Sequence, residues 1–331
     1  MAWTDLQSCA ILTLVSPRQE SGVMSRYRNI TLIVFVFCGL VVFFWHHLRG
    51  EPGFSDDLLR DIRRAMSRIK PLHAKQEKPQ PGEWLAEHKE DGQTFTQYSK
   101  SRPITLTPRR KKLYVQPIGT FSKKEKGLVE ISSDFLAIYF NCEVKILQPI
   151  GVDKIPDKAK RTHPRWGDKQ ILSTYVLDEL LAPNLPRDAF AMIAFTSSDL
   201  WPGKNWNFVF GQAALRNRVG VWSFYRHGNV DGSENEFKLC LKRTLKVATH
   251  ETGHMFSINH CIHYRCNMQG SNSLPESDRQ PIYLCPECHA KAMLATGFDP
   301  KARYQRLIQF CDKHDLNEEK NFYEKSLRRF Q

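Results

Sequence analysis

Between residues 250 and 288 the chain reads HETGHMFSINHCIHYRCNM, then sixteen further residues, then CPEC. No other stretch constrains the fold so tightly, because its side chains make chemical sense only if they converge on points in space. Positions i and i+4 of an α-helix lie on one face, so His250 and His254 can share a metal ion. Two imidazoles do not complete a tetrahedral site. A catalytic zinc keeps three protein ligands and leaves its fourth position to water. His260 supplies the third ligand if the chain leaves the helix and turns back. Glu251, beside the first ligand, is then the candidate general base for the zinc-activated water. Five of the twelve histidines fall between His250 and His289, but His263 and His289 fit no ligand position and are read as ordinary surface or core residues.

The cysteines form a second constellation. Cys261 and Cys266 flank four residues, and Cys285 and Cys288 form a Cys-x-x-Cys knuckle. Four thiolates in two close pairs are the usual make-up of a closed structural zinc site, which staples loops that have little apolar material to bury. Two disulfides are the competing reading; the Cys-x-x-Cys spacing suits a metal better than a bridge to itself. The remaining cysteines, Cys9, Cys38, Cys142, Cys240 and Cys311, show no pattern and are expected to be small buried hydrophobes.

The order of these residues resembles the archaemetzincins: His-Glu-x-x-His, a third His followed at once by Cys, Cys again after four residues, x-Met, then Cys-x-x-Cys. The segments NFVFGQA from Asn207 to Ala213 and MQGSN from Met268 to Asn272 are also similar to that family, and the likeness runs from near Glu83 to about Tyr304. The resemblance implies a metzincin-clan zinc metallopeptidase with two zinc ions. Carried over by position, His250, His254 and His260 hold the catalytic zinc, with Glu251 as base. Cys261, Cys266, Cys285 and Cys288 hold the structural zinc, and Met268 is the methionine of the turn beneath the active site. It also implies that the strand before the active-site helix pairs with extended substrate, which makes Asn207, Phe208, Val209, Phe210 and Gly211 a candidate peptide-binding edge. One position departs from the pattern. Ser257 stands where metzincins carry the glycine that ends the helix, and left-handed backbone without glycine costs roughly 1 kcal/mol or more. Either Asn259 takes over the turn, or the turn opens and His260 sits further from the metal.

Around this site the chain reads as an α/β scaffold. Strands are predicted at 113–118, 143–150, 189–195, 208–213 and 219–225. Helices are predicted at 128–140, where Leu128, Ile131, Phe135, Ile138 and Tyr139 recur at helical spacing, and at 172–181, 241–256, 290–294 and 302–313. Alternating strands and helices argue for a mixed, mostly parallel sheet with crossover connections, an active-site helix and a zinc-stapled C-terminal part. The expected organisation is an N-terminal segment 1–29, an apolar anchor 30–48, a linker 49–110 and a metallopeptidase domain 111–331.

The anchor expectation rests on a sixteen-residue uncharged run from Ile30 to Trp45. The run falls slightly short of the roughly 20 residues that span a bilayer, and its flanks can extend it. It implies a single-pass membrane protein, with a soluble intracellular chain as the alternative. Within the linker, 54–70 reads as a basic amphipathic helix with Leu58, Ile62, Met66 and Ile69 on one stripe. A Pro-punctuated polar stretch follows. A net charge of +13 invites a nucleic-acid reading, but the basic residues are dispersed and no nucleic-acid motif with interleaved aromatics is present, so no such partner is expected. The expected partner is a peptide or protein substrate. A catalytically silent zinc scaffold that binds peptide is the alternative, and the presence of Glu251 argues against it.

Overall fold

The computed structural model describes residues 53–331 and a two-residue strand, β1 (Leu12–Thr13). The other described strands are β2 (Lys112–Ile118), β3 (Glu143–Ile146), β4 (Lys160–Thr162), β5 (Lys169–Leu172), β6 (Ala189–Thr196), β7 (Asp199–Trp201), β8 (Gly211–Ala214) and β9 (Val219–Ser223). The main sheet runs β1-β8-β9-β6-β2-β3. Its inner pairs are parallel, β8 runs antiparallel to β9, and Leu12 and Thr13 pair with Gln212 and Ala213 on the outer side of β8. This is the mixed, mostly parallel sheet predicted. β6 is buried along its whole length, as a central parallel strand covered on both faces must be. Ala191, Ile193 and Phe195 face one hydrophobic cluster, and Met192 and Ala194 face the other. A bulge between the Ala189 and Ala191 pairings leaves Phe190 unpaired and turns it into the first cluster, where it stacks on Phe256 at 4.3 Å.

The longer helices are α1 (Asp56–Ile69), α2 (Lys123–Tyr139), α3 (Glu234–Met255), α4 (Pro286–Thr296), α5 (Pro300–Lys313) and α6 (Asn317–Leu327). α2 and α3 both start earlier than predicted, each at a capping box: Ser122 with Glu125, and Ser233 with Glu236. Their first turns are polar, so apolar periodicity registers only further in. The predicted strand 143–150 stops at Ile146 and resumes only as a single bridge from Ile150 to Ile118. The predicted helix 172–181 is preceded by β5 and completed by a π-helical turn, Val176–Leu181. The small sheet β4-β5-β7 was not predicted. Neither was α6, whose buried residues are only Glu319, Tyr323 and Ser326, so it presents no apolar stripe to read.

The segment expected to be a linker contributes to the core. α1 buries Ile62, Ala65 and Ile69 and packs against α4, whereas Leu58 of the predicted stripe is exposed. Phe95 and Tyr98 join the same cluster, and the Tyr98 hydroxyl donates to the Phe256 carbonyl at 2.7 Å. The apolar run expected to anchor the chain, 30–48, lies outside the described residues. No described helix is long and apolar enough to cross a membrane, so nothing in the structure supports the anchor.

Candidate metal centres and the cleft beside them

α3 carries His250 and His254 one turn apart, and their Nε2 atoms lie 3.0 Å from each other. The helix is buried from Thr244 to Met255, so both rings are held inside the protein. Its end decides where the third histidine goes. Phe256 caps the helix and Ser257 takes the left-handed conformation itself, at φ 64°. The N–H of Ser257 donates to the His254 carbonyl (2.8 Å), and the N–H of Ile258 to that of Gly253 (3.2 Å). That is a complete Schellman closure with serine in glycine's place. Neither expectation for Ser257 holds: Asn259 is not among the positive-φ residues, and the turn does not open. The strain is offset locally, because the Ser257 hydroxyl accepts the Ile104 N–H (3.2 Å) and its carbonyl accepts from Gln93 Nε2 (3.3 Å).

The turn returns His260 to the helix, and its ring centroid lies 5.2 Å from that of His250 and 4.9 Å from that of His254. One ring nitrogen from each histidine falls within a common 4.8 Å. Each Nδ1 also has its own acceptor: the Asn267 carbonyl for His250 (2.7 Å), the Ile258 carbonyl for His254 (2.7 Å) and Glu90 Oε1 for His260 (2.6 Å). The Nε2 of His260 is buried without a protein partner. An acceptor on Nδ1 fixes the tautomer that leaves Nε2 free to ligate. Burial, with His260 close by, pushes His250 down to about 3, and burial likewise holds His254 well below the ordinary range. Both rings are therefore neutral near pH 7, the form that binds metal.

Glu251 is fully buried, neither carboxylate oxygen has a protein partner, and burial pushes its carboxyl up to about 8. Gly253 faces Met268, whose sulfur would lie 2.6 Å from a Cβ at that position. Met268 is fully buried, as expected of a methionine beneath the site. A cavity of about 270 Å³ opens beside the ligands, lined by Glu90, Asp91, Leu215, His254, Asn259 and His260 among others.

Cys261, Cys266, Cys285 and Cys288 are buried, unbridged and within 4.8 Å of one another. The sulfurs of Cys261 and Cys285 lie 3.6 Å apart. Two sulfurs on one tetrahedral zinc stand roughly 3.8 Å apart, given bonds of about 2.3 Å. Backbone N–H groups of Cys285 (3.2 Å) and Met268 (3.5 Å) donate to the Cys266 sulfur. Burial and the neighbouring thiols push Cys266 and Cys285 well up. Four buried sulfurs this close together and unbridged form a donor set that fits a metal ion such as zinc.

The proposed peptide edge needs correction. Only Gly211 of the five candidate residues lies in β8; Asn207, Phe208, Val209 and Phe210 precede it. Their backbone is largely committed within the chain. The Asn207 carbonyl accepts from Arg161 and Gln170, the Val209 N–H donates to Leu200, and the Phe210 carbonyl accepts from Ser223. Phe208 lies under the Arg226 guanidinium at 3.8 Å, which in turn pairs with Asp168 and the buried Asp199. Sequence reading missed the opposite side of the site. Trp84, Glu90 and Gln93 lie in the presumed linker, where the hints were a tryptophan in an otherwise polar stretch and a family likeness beginning near Glu83.

The sequence model of Peptidase family M54 matches residues 184–293. Archaemetzincin-2 of Macaca fascicularis is 34% identical over 266 residues, covering 70% of this chain and 72% of that protein. Archaemetzincin-1 of Homo sapiens is 31% identical over 259 residues, covering 68% of this chain and 51% of that protein. A crystal structure of archaemetzincin from Archaeoglobus fulgidus is 31% identical and covers 54% of this chain and 99% of its own, with a TM-score of 0.44. With its histidine and cysteine clusters in the family's order, the chain belongs to the archaemetzincins, zinc metallopeptidases of family M54.

Proposed function

We propose that the chain hydrolyses peptide bonds at one zinc held by His250, His254 and His260, and that a second, structural zinc is held by Cys261, Cys266, Cys285 and Cys288. The observation that carries this reading is the set of three Nδ1 acceptors, which turns three buried Nε2 atoms toward one point. When bound, zinc supplies Lewis acidity, bringing the pKa of water at its open position to about 7 and polarising the scissile carbonyl. The residues of the chain do the rest. Glu251, on the helical turn of the ligands and with both oxygens unpartnered, would be returned to its ionised form by the charge of the bound zinc, and then takes the proton of the attacking water and hands it to the leaving amine. The buried ligands keep competing solvent out, and the cavity beside His254 and His260 receives the substrate. We take 111–331 as the catalytic unit, with 54–110 as a wrapping segment whose residues 83–93 wall the cleft.

The test compares wild type with Glu251→Gln and His254→Ala on a broad peptide library, with zinc measured in each. Wild type should carry about two zincs. Glu251→Gln should keep both yet lose on the order of 10²-fold or more in rate. His254→Ala should keep only the cysteine zinc. Equal turnover in wild type and Glu251→Gln overturns the mechanism, and no turnover in either with two zincs bound leaves a silent scaffold.

A further inference from the structure

The three histidines differ in what holds them. His250 and His254 are fixed by the α3 backbone, and their Nδ1 atoms meet peptide carbonyls. His260 stands on a loop past a serine-closed helix end, and its Nδ1 meets a carboxylate, Glu90 Oε1, from a residue 170 positions away in sequence. The same oxygen accepts the Trp84 indole N–H at 2.9 Å. A carboxylate is a stronger acceptor than a carbonyl, and charge-assisted bonds to it are roughly twice as strong as neutral ones.

The segment that carries Glu90 is anchored at several points besides His260. The Trp84 N–H donates to Glu276 (2.9 Å), and its indole lies against Gly270, where a Cβ would come within 2.4 Å of the ring. At the other end Gln93 Oε1 accepts the Asn259 N–H (3.2 Å), and the Phe95 N–H donates to Glu287 (2.6 Å). Glu90 is thus presented by a braced strap and is not drawn in by the histidine it meets. It also lies outside the stretch matched by the family's sequence model.

We propose that Glu90 is a positioning residue for the histidine metal site: its carboxylate holds His260 as the Nδ1–H tautomer, aims Nε2 at the metal and raises the zinc affinity of that site. This rests on the assignment of His260 as a zinc ligand. Outer partners of ligating histidines typically contribute 10–100-fold in metal affinity.

The test is a zinc competition titration of the full chain against a chromophoric chelator, for wild type, Glu90→Ala, Glu90→Gln and Glu276→Ala. Glu90→Ala should weaken the histidine site about 10–100-fold. Glu90→Gln keeps the acceptor oxygen but not the charge and should fall between it and wild type. The cysteine site should be unchanged in both, as an internal standard. Glu276→Ala removes the acceptor of the Trp84 N–H, loosening the strap without touching His260 or the turn at 257–259, and should bind zinc as wild type does. In the zinc-loaded protein, the His260 Nδ1–H proton resonance should lie far downfield and move upfield in Glu90→Gln. If Glu90→Ala does not fold, Glu90→Gln and this resonance carry the test alone. Wild-type affinity and an unmoved resonance in Glu90→Gln overturn the proposal, as does an equal loss in Glu276→Ala, which would reduce Glu90 to a structural staple. A wild-type chain that fills only its cysteine site sinks the catalytic-zinc reading instead.

Discussion

Gly253 lies between His250 and His254 in the sequence and packs against the buried Met268. In a solvent-facing helix, replacing Gly with Ala gains about 1 kcal/mol, because alanine loses less backbone entropy on folding. Here the added Cβ would stand 2.6 Å from Met268 Sδ and 3.0 Å from Cε. Met268 is fully buried, so its thioether can yield only against close-packed neighbours. Overpacking a core costs about 1–3 kcal/mol, and methionine's flexibility puts the cost near the lower end, about 1–2. The two effects nearly cancel, so Gly253→Ala should leave stability unchanged or lower it by about 1 kcal/mol. The sign should reverse once the obstacle is gone. In a Met268→Ala background the same change should stabilise by about 1 kcal/mol, giving a coupling of roughly 1–2 kcal/mol across the cycle. Urea unfolding of the four zinc-loaded proteins measures it, with equal m-values as the check that only stability has changed. An identical effect of Gly253→Ala in both backgrounds would refute the reasoning, since the methionine would then not be what the glycine makes room for.

The Cys285→Ser, Cys288→Ser double variant should carry one zinc fewer. It should also melt on the order of 10 °C lower, corresponding to a loss of about 3 kcal/mol or more, and an unchanged melting curve would mean that these thiols bind no metal. Acid should destabilise the fold partly through His227, which burial, helped by Arg243, pushes down to about 3. Its unfolded pKa is about 6.5, so between pH 6.5 and 3 the unfolded chain binds the extra proton, and stability is complete above that window and lost as pH falls through it. At pH 5.5 this amounts to roughly 1.4 kcal/mol. The stability lost between pH 7.5 and 5.5 should therefore shrink by about that much in His227→Gln, and an equal loss in variant and wild type would rule His227 out.

What the sequence displayed plainly is what lies close together along it. The i, i+4 histidines, the Cys-x-x-Cys knuckle and the long central strand are local patterns, and each appears where local geometry requires. Ser257 was legible as a departure but not as a solution. A left-handed serine is tolerated because Ile104 and Gln93 bind it, and both are distant in sequence. The strap was illegible for the same reason. Its prolines and polar residues read as a linker, while Trp84 finds Gly270 and Glu90 finds His260 only in three dimensions. Strands of three or four residues, such as β4, β5 and β7, are too short for a period of two to stand out.

The histidine and cysteine clusters are not independent modules. His260 and Cys261 are adjacent, and the Cys261 N–H donates to the Met268 carbonyl at 2.7 Å, closing the loop between them. That loop supplies the Asn267 carbonyl to His250 and the Met268 side chain to Gly253. Asn267 is itself fixed, its N–H donating to Tyr283 (3.1 Å) and its side-chain amide to Thr249 (2.8 Å). The cysteines thus connect to the histidine site through residues 261–268 and, by way of Glu287 between Cys285 and Cys288, through Phe95 to the strap that carries Glu90. In the other direction, His250 and His254 sit on a helix closed at its start by the Ser233–Glu236 capping box and buried from Thr244 to Met255, structure that does not depend on residues 261–268. The coupling is for that reason lopsided. Emptying the cysteine site should loosen the acceptor behind His250 and weaken zinc at the histidines, whereas emptying the histidine site should leave the cysteine zinc in place. Chelator titration of the cysteine and His254→Ala variants measures both directions, and an undiminished histidine site in the cysteine variant would show that the loop holds its shape without its metal.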